Sequence, residues 1–225
     1  MTVNEMIQKI QEQVRQAKPD ATYLDTVLLF DLNQVLDEIT AEHCLTELEA
    51  SDTLSFDSPD EFDEEEALAC LQADLPTDYH HDLYEAYNVT AKQPAKIHPN
   101  LKSLYKYFEE GGRTGDSIGN VAVQGSVLWA LPARSETMDE EVISIRYYKQ
   151  ADDLELDGAG PSCIPSHLHS GLLVSGVLRN KVAGLSPSMA SLHEQRYLGG
   201  IASLQAFVKT PSRQTPYIRR HARYF

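Results

Sequence analysis

The chain has 225 residues, 42% of them hydrophobic, and a formal net charge of −15. That apolar share excludes a fully disordered polypeptide and suits one large core or two small ones. No apolar run reaches the roughly 18 residues of a membrane-spanning helix, and three scattered cysteines, Cys44, Cys70 and Cys163, do not make a disulfide framework.

In residues 2–17, Val3, Met6, Ile7, Ile10 and Val14 recur at helical spacing, which predicts an amphipathic helix ended by Pro19. This opening is polar and carries acid, unlike a signal or transit peptide. With the odd cysteine count, it sets the expectation of a reducing compartment, the cytoplasm or the inside of a virus particle. Residues 22–50 lack Gly and Pro and predict one long helix, or two with a break. The dense apolar run through Val27, Leu28, Leu29, Phe30 and Leu32 is too rich for a helix lying on water, so this helix is expected at the centre of the core.

Ser58-Pro59 followed by Asp60, Glu61 and Asp63 has the form of a helix start, and predicts a helix running to about Leu75. Thr77 reads as the cap of another over 78–89, and residues 98–112 as one more, closed by Gly111 and Gly112. Asn88-Val89-Thr90 fits the glycosylation pattern, which carries no weight without a signal peptide. Near residue 111 the texture changes. Residues 121–133 and 141–150, rich in Val, Ile, Trp and Tyr, read as an antiparallel pair of strands. Helices are expected again over 170–184 and 186–209, the second with Ser186 as cap and Pro187 at its first position. The fold class expected is α+β and mostly α-helical: a helical N-terminal part, a small antiparallel sheet near the middle, a helical C-terminal part and an extended basic tail. The expected regions are 1–110, acidic and helical; 111–208, mixed; and 209–225, basic and aromatic, with one domain plus a tail as the simplest grouping.

Charge is divided along the chain. Residues 19–91 contain 20 Asp and Glu and no Lys or Arg, whereas residues 159–225 carry eight basic residues against Glu194 alone. Residues 209–225 hold five Lys and Arg, no acid, and three aromatics. Arg213, Tyr217, Arg219, Arg220, Arg223, Tyr224 and Phe225 are therefore the candidate partner-binding residues. Arginines with interleaved aromatics suit either a nucleic-acid backbone or an arm that plugs aromatics into a neighbouring subunit. The overall negative charge disfavours nonspecific nucleic-acid binding, which ranks the subunit arm first.

The chemical motifs are weaker. Cys163, His167 and His169 lie within seven residues and are the right types for zinc, with His193 or a carboxylate as a fourth ligand, but the spacing is not a standard one. Cys163 also follows a Gly-rich loop and precedes an expected helix, a place where a thiol is activated, with His169 or His193 as base. The bland alternative, a small buried Cys, is favoured. Asp78, His81 and Asp82 on a helix would share a face and offer a divalent-metal site. Glu38 and Glu42 lack the Glu-x-x-His pattern of di-iron bundles. GGRTGDSIGN has the glycines of a phosphate loop without its Lys. No metal or cofactor is expected. The expectation is a non-enzymatic subunit of a larger oligomeric assembly, of the kind that builds a virus or phage particle, whose partners are protein subunits and which does not engage a membrane. The alternatives are an acidic DNA mimic that occupies a basic protein, and a cysteine hydrolase or zinc-site protein centred on Cys163.

Overall fold

A computed structural model describes residues 1–56, 69–110, 117–133 and 141–209. In chain order the elements are α1 (Val3–Ala17), α2 (Asp25–Glu42), β1 (Glu49–Ser55), β2 (Ala69–Asp74), β3 (Tyr79–Asn88), β4 (Gln93–Pro94), β5 (Lys96–His98), α3 (Leu101–Glu109), β6 (Asn120–Gln124), β7 (Val127–Ala133), β8 (Val142–Lys149), α4 (Ser175–Lys181) and α5 (Pro187–Lys209). The fold is mixed α+β. The chain divides into two units, the first formed by Met1–Glu47 with the chain from Ala151 onward, the second by Leu48–Gln150. The change of texture near residue 111 falls inside the second unit. Among the described residues no helix is long and apolar enough to cross a membrane.

The first unit is helical. α1 begins with a capping box: the Thr2 hydroxyl accepts from the Glu5 amide while the Glu5 carboxylate accepts from the Thr2 amide. Val3, Met6, Ile7, Ile10 and Val14 are all buried, as the spacing predicts. α2 buries Leu28, Leu32, Val35, Leu36 and Ile39. Asn33 fixes it to the loop before α4 through a two-point clasp, donating to the Leu154 carbonyl at 3.3 Å and accepting from the Leu154 amide at 2.8 Å. A π-turn, Ser170–Val174, leads into α4. The Ser186 carbonyl accepts the Ala190 amide at the start of α5, with Pro187 at the first position as expected. α5 buries His193, Tyr197 and Leu204. Gly176 and Gly200 permit close helix approach. A Cβ on Gly176 would stand 2.6 Å from Val35 Cγ1, and one on Gly200 would stand 2.9 Å from Leu172.

The second unit has two four-stranded sheets, ordered β1-β8-β3-β4 and β2-β7-β6-β5, antiparallel except for the β5–β6 pair. Leu54, Ala86, Ile143 and Ile145 of one sheet and Leu71, Val121, Leu128 and Ala130 of the other join one apolar core. α3 covers part of the second sheet, with Leu104 and Phe108 packed against Ala122. A buried polar knot holds the first sheet to the start of β6. Asn88 Nδ2 donates to the Ile118 carbonyl at 3.0 Å and to Glu141 Oε2 at 2.6 Å, and the Ile118 amide donates to the same carboxylate at 2.7 Å. Asn88, the residue of the glycosylation pattern, is wholly buried.

Several expected elements are corrected. Residues 79–88 form a strand: Ala86 and Asn88 point inward and Glu85 and Tyr87 outward, the period of two that pairing with β8 imposes on a Tyr-rich segment. The helix expected from Ser58 begins outside the described residues, and 69–74 within it is β2. The helix expected over 22–50 stops at Glu42, and 49–55 becomes β1. Residues 121–133 divide at Gly125, whose φ of +65° makes a two-residue hairpin between β6 and β7. β7 and β8, expected to pair, lie in different sheets. The mostly helical N-terminal part therefore gives way to a helical unit interrupted by a β-rich one.

Candidate interaction surfaces

The seven partner-binding candidates, Arg213, Tyr217, Arg219, Arg220, Arg223, Tyr224 and Phe225, lie outside the described residues. So does most of the glycine loop, 111–116.

The structure does not assemble the sequence-proposed metal and nucleophile sites. Among the described residues no three-ligand group includes Cys163, His167 or His169. Cys163 is buried, and that burial pushes its thiol up to about 11, with the charges of Glu47 and Asp152 adding to the shift. A thiol so placed is protonated at neutral pH, the reverse of the activation expected from a helix start. His169 is also buried. Its Nε2 lies 2.8 Å from the Ile164 carbonyl, and its ring packs over Gly160, where a Cβ would collide with it. His193 sits on α5 with Nδ1 3.5 Å from the Ser175 hydroxyl, and burial, seconded by Arg196, holds its pKa below the ordinary value. Asp78, His81 and Asp82 do not share a helix face, because the segment is extended. Asp78 accepts a hydrogen bond from the Tyr147 hydroxyl at 2.7 Å, and His81 stacks on Tyr148.

Charge in the helical unit is organised around two cations of α4. One Arg179 nitrogen lies 2.7 Å from both oxygens of Glu38, another lies 3.8 Å from Glu194, and the guanidinium sits 4.0 Å from the centroid of the Tyr197 ring. Burial alone would lower the Arg179 pKa. The hydrogen bond and charge of Glu38 outweigh it and leave the pKa above its ordinary value. Lys181 pairs with Asp31 at 2.7 Å. These pairs place both cations of α4 on α2, so Glu38 serves the fold rather than a metal.

Two surfaces of this unit remain apolar and exposed. On α2, Leu24, Val27 and Phe30 are 73%, 39% and 62% exposed. Leu24 is the N-cap, and Val27 and Phe30 follow in the first two turns, where the helical repeat turns them away from Leu28, Leu32 and Ile39. Of the apolar run that suggests a central helix, Leu28 and Leu32 are buried while Val27 and Phe30 face water. On α5, residues 197–208 contain no charge, and Leu198 and Phe207 are exposed. Beside the start of the α2 ridge lies a groove of about 420 Å³ lined by Asn4, Ile7, Gln8 and Gln11 of α1, Asp25 of α2, and Leu156 and Asp157. Its charged residues are both acids. Gln11 Nε2 donates to Asp25 Oδ1 at 2.6 Å, and Asn4 Nδ2 donates to Asp157 Oδ1, which fixes both carboxylates at the groove. Sequence reasoning misses this groove, since Asp157 comes to α1 from more than a hundred residues away.

No family model and no curated protein matches the chain.

Proposed function

We propose that the protein is a non-enzymatic structural subunit of a larger assembly, of the kind found in virus and phage particles, in which residues 209–225 act as an arm on a neighbouring subunit. The observation that carries this reading is the exposed Leu24–Val27–Phe30 ridge, three large apolar side chains left in water at the start of α2, while Leu28, Leu32 and Ile39 of the same helix are packed. Apolar groups clustered in this way mark contact surfaces rather than ordinary solvated ones. The division of charge supports the same reading, because opposite fields on arm and body steer and register a contact. The DNA-mimic alternative draws on the acids of residues 19–91 spaced along helices; of the described ones, five lie on α2 and those between 49 and 88 sit on strands and loops. The Cys163 alternative meets a buried, protonated thiol.

The test is solution mass by light scattering, across a range of salt, for the full chain and for a variant with Arg213, Arg219, Arg220 and Arg223 changed to Ser. Assembly of the full chain that high salt and the four substitutions both abolish is the expected result. Monomers at every salt and concentration would overturn the reading and assign the arm to a foreign partner, with nucleic acid the first to offer it.

A further inference from the structure

We infer that the receiving surface for the arm is the groove between α1 and the start of α2, together with the adjoining Leu24–Val27–Phe30 ridge, and that its occupant is segment 210–225 of a second copy of this chain. The inference rests on the arm reading above and adds where the arm lands. Three observations select the place. First, the groove and the apolar residues both belong to the start of α2: Asp25, its first residue, lines the groove, Leu24 caps it, and Val27 and Phe30 lie in its first two turns. Second, their chemistry mirrors the segment. The groove offers Asp25 and Asp157 with no cation among its lining residues, and the ridge offers exposed apolar side chains. The segment carries Arg213, Arg219, Arg220 and Arg223 with Tyr217, Tyr224 and Phe225, and no acid. Arginine pairs with carboxylates through its planar fork, while the aromatic rings take the apolar contact.

Third, charge rejects the other exposed apolar face. Residues 197–208 of α5 contain no acid, so arginines brought there would lose hydration without gaining a partner. Residues 19–47 hold seven Asp and Glu and no Lys or Arg; α4 sets Arg179 and Lys181 against two of them, and on the α1 side Arg15 is held by Gln11 Oε1 at 3.4 Å. Sixteen residues extend at most about 55 Å, enough to reach across to an adjoining subunit.

The experiment uses two full-length variants. The donor variant changes Arg219, Arg220 and Tyr224 to Ser. The acceptor variant changes Leu24 and Phe30 to Ser at exposed positions, so the fold is kept, and circular dichroism checks this. Wild type, each variant and their equimolar mixture are compared by light scattering at low salt. The expected result is that wild type assembles, each variant alone stays monomeric, and the mixture forms a species of twice the monomer mass, because the acceptor variant still has an arm and the donor variant still has a groove and ridge. An acceptor variant that assembles like wild type overturns this inference and leaves the arm reading standing. Two monomeric variants whose mixture is also monomeric overturn docking between copies at this surface. A monomeric wild type overturns the arm reading itself.

Discussion

One nitrogen of Arg179 lies 2.7 Å from both carboxylate oxygens of Glu38, joining α4 to α2 while the guanidinium rests on the Tyr197 ring of α5. Three helices of the first unit thus meet at one side chain that is only 16% exposed. Arg179→Ala removes the ion pair, the ring contact and the packing together, and should lower stability by about 2 kcal/mol. Glu38→Gln keeps an acceptor and should cost less, roughly 1 kcal/mol. Urea unfolding of the two variants beside wild type measures both, and the order of the two losses is the sharper result.

Two glycines of the same unit should respond with opposite sign to alanine. At Gly176 the new Cβ would stand 2.6 Å from Val35 Cγ1 and 3.3 Å from the Tyr197 ring. Val35 is β-branched and stiff, so the clash should outweigh the gain in helix propensity and cost about 1–3 kcal/mol. At Gly199, on the outer face of α5, nothing lies within 4 Å of the new Cβ. Gly199→Ala should stabilise by about 0.5–1 kcal/mol, with thermal melts as the readout.

The depressed pKa of His193 sets a pH dependence. The folded protein holds this imidazole neutral below the ordinary value of 6.5, because burial penalises the charged form. The unfolded chain then binds the proton more readily, so this contribution to stability is complete above pH 6.5 and is lost as pH falls from there toward the folded pKa. His193→Gln should flatten the stability profile between pH 7 and 5 relative to wild type. Parallel profiles would mean that His193 does not titrate differently in the two states.

Cys163 should resist alkylation. With its thiol raised to about 11 and the residue buried, iodoacetamide at pH 8 should label it only after denaturant is added. Peptide mapping by mass spectrometry before and after unfolding gives the ratio. Rapid labelling of the native protein would restore the nucleophile alternative.

In the second unit, Asn88→Ala should cost about 2–3 kcal/mol, since it removes two donated hydrogen bonds and strips the buried Glu141 carboxylate of one partner. The same site should carry no glycan in any expression host, because its amide is buried and bonded.

Elements that depend on neighbours along the chain are legible from residue order alone. The stripe from Val3 to Val14 defines α1 because residues three and four apart share a helix face, and Pro19 closes it. Ser186 and Pro187 start α5 for an equally local reason. Long-range pairing and packing set the rest. Residues 79–88 carry a plausible cap and helical spacing, yet pairing with β8 more than fifty residues later makes them a strand, because partners across a sheet outweigh weak local preference. The apolar density of α2 was legible, but which side chains face water was not, since that depends on which neighbours cover the helix. The groove that gives the arm its proposed seat is more remote still: Asp25 and Asp157 line it together because the first unit is built from both Met1–Glu47 and the chain from Ala151 onward, segments that lie more than a hundred residues apart.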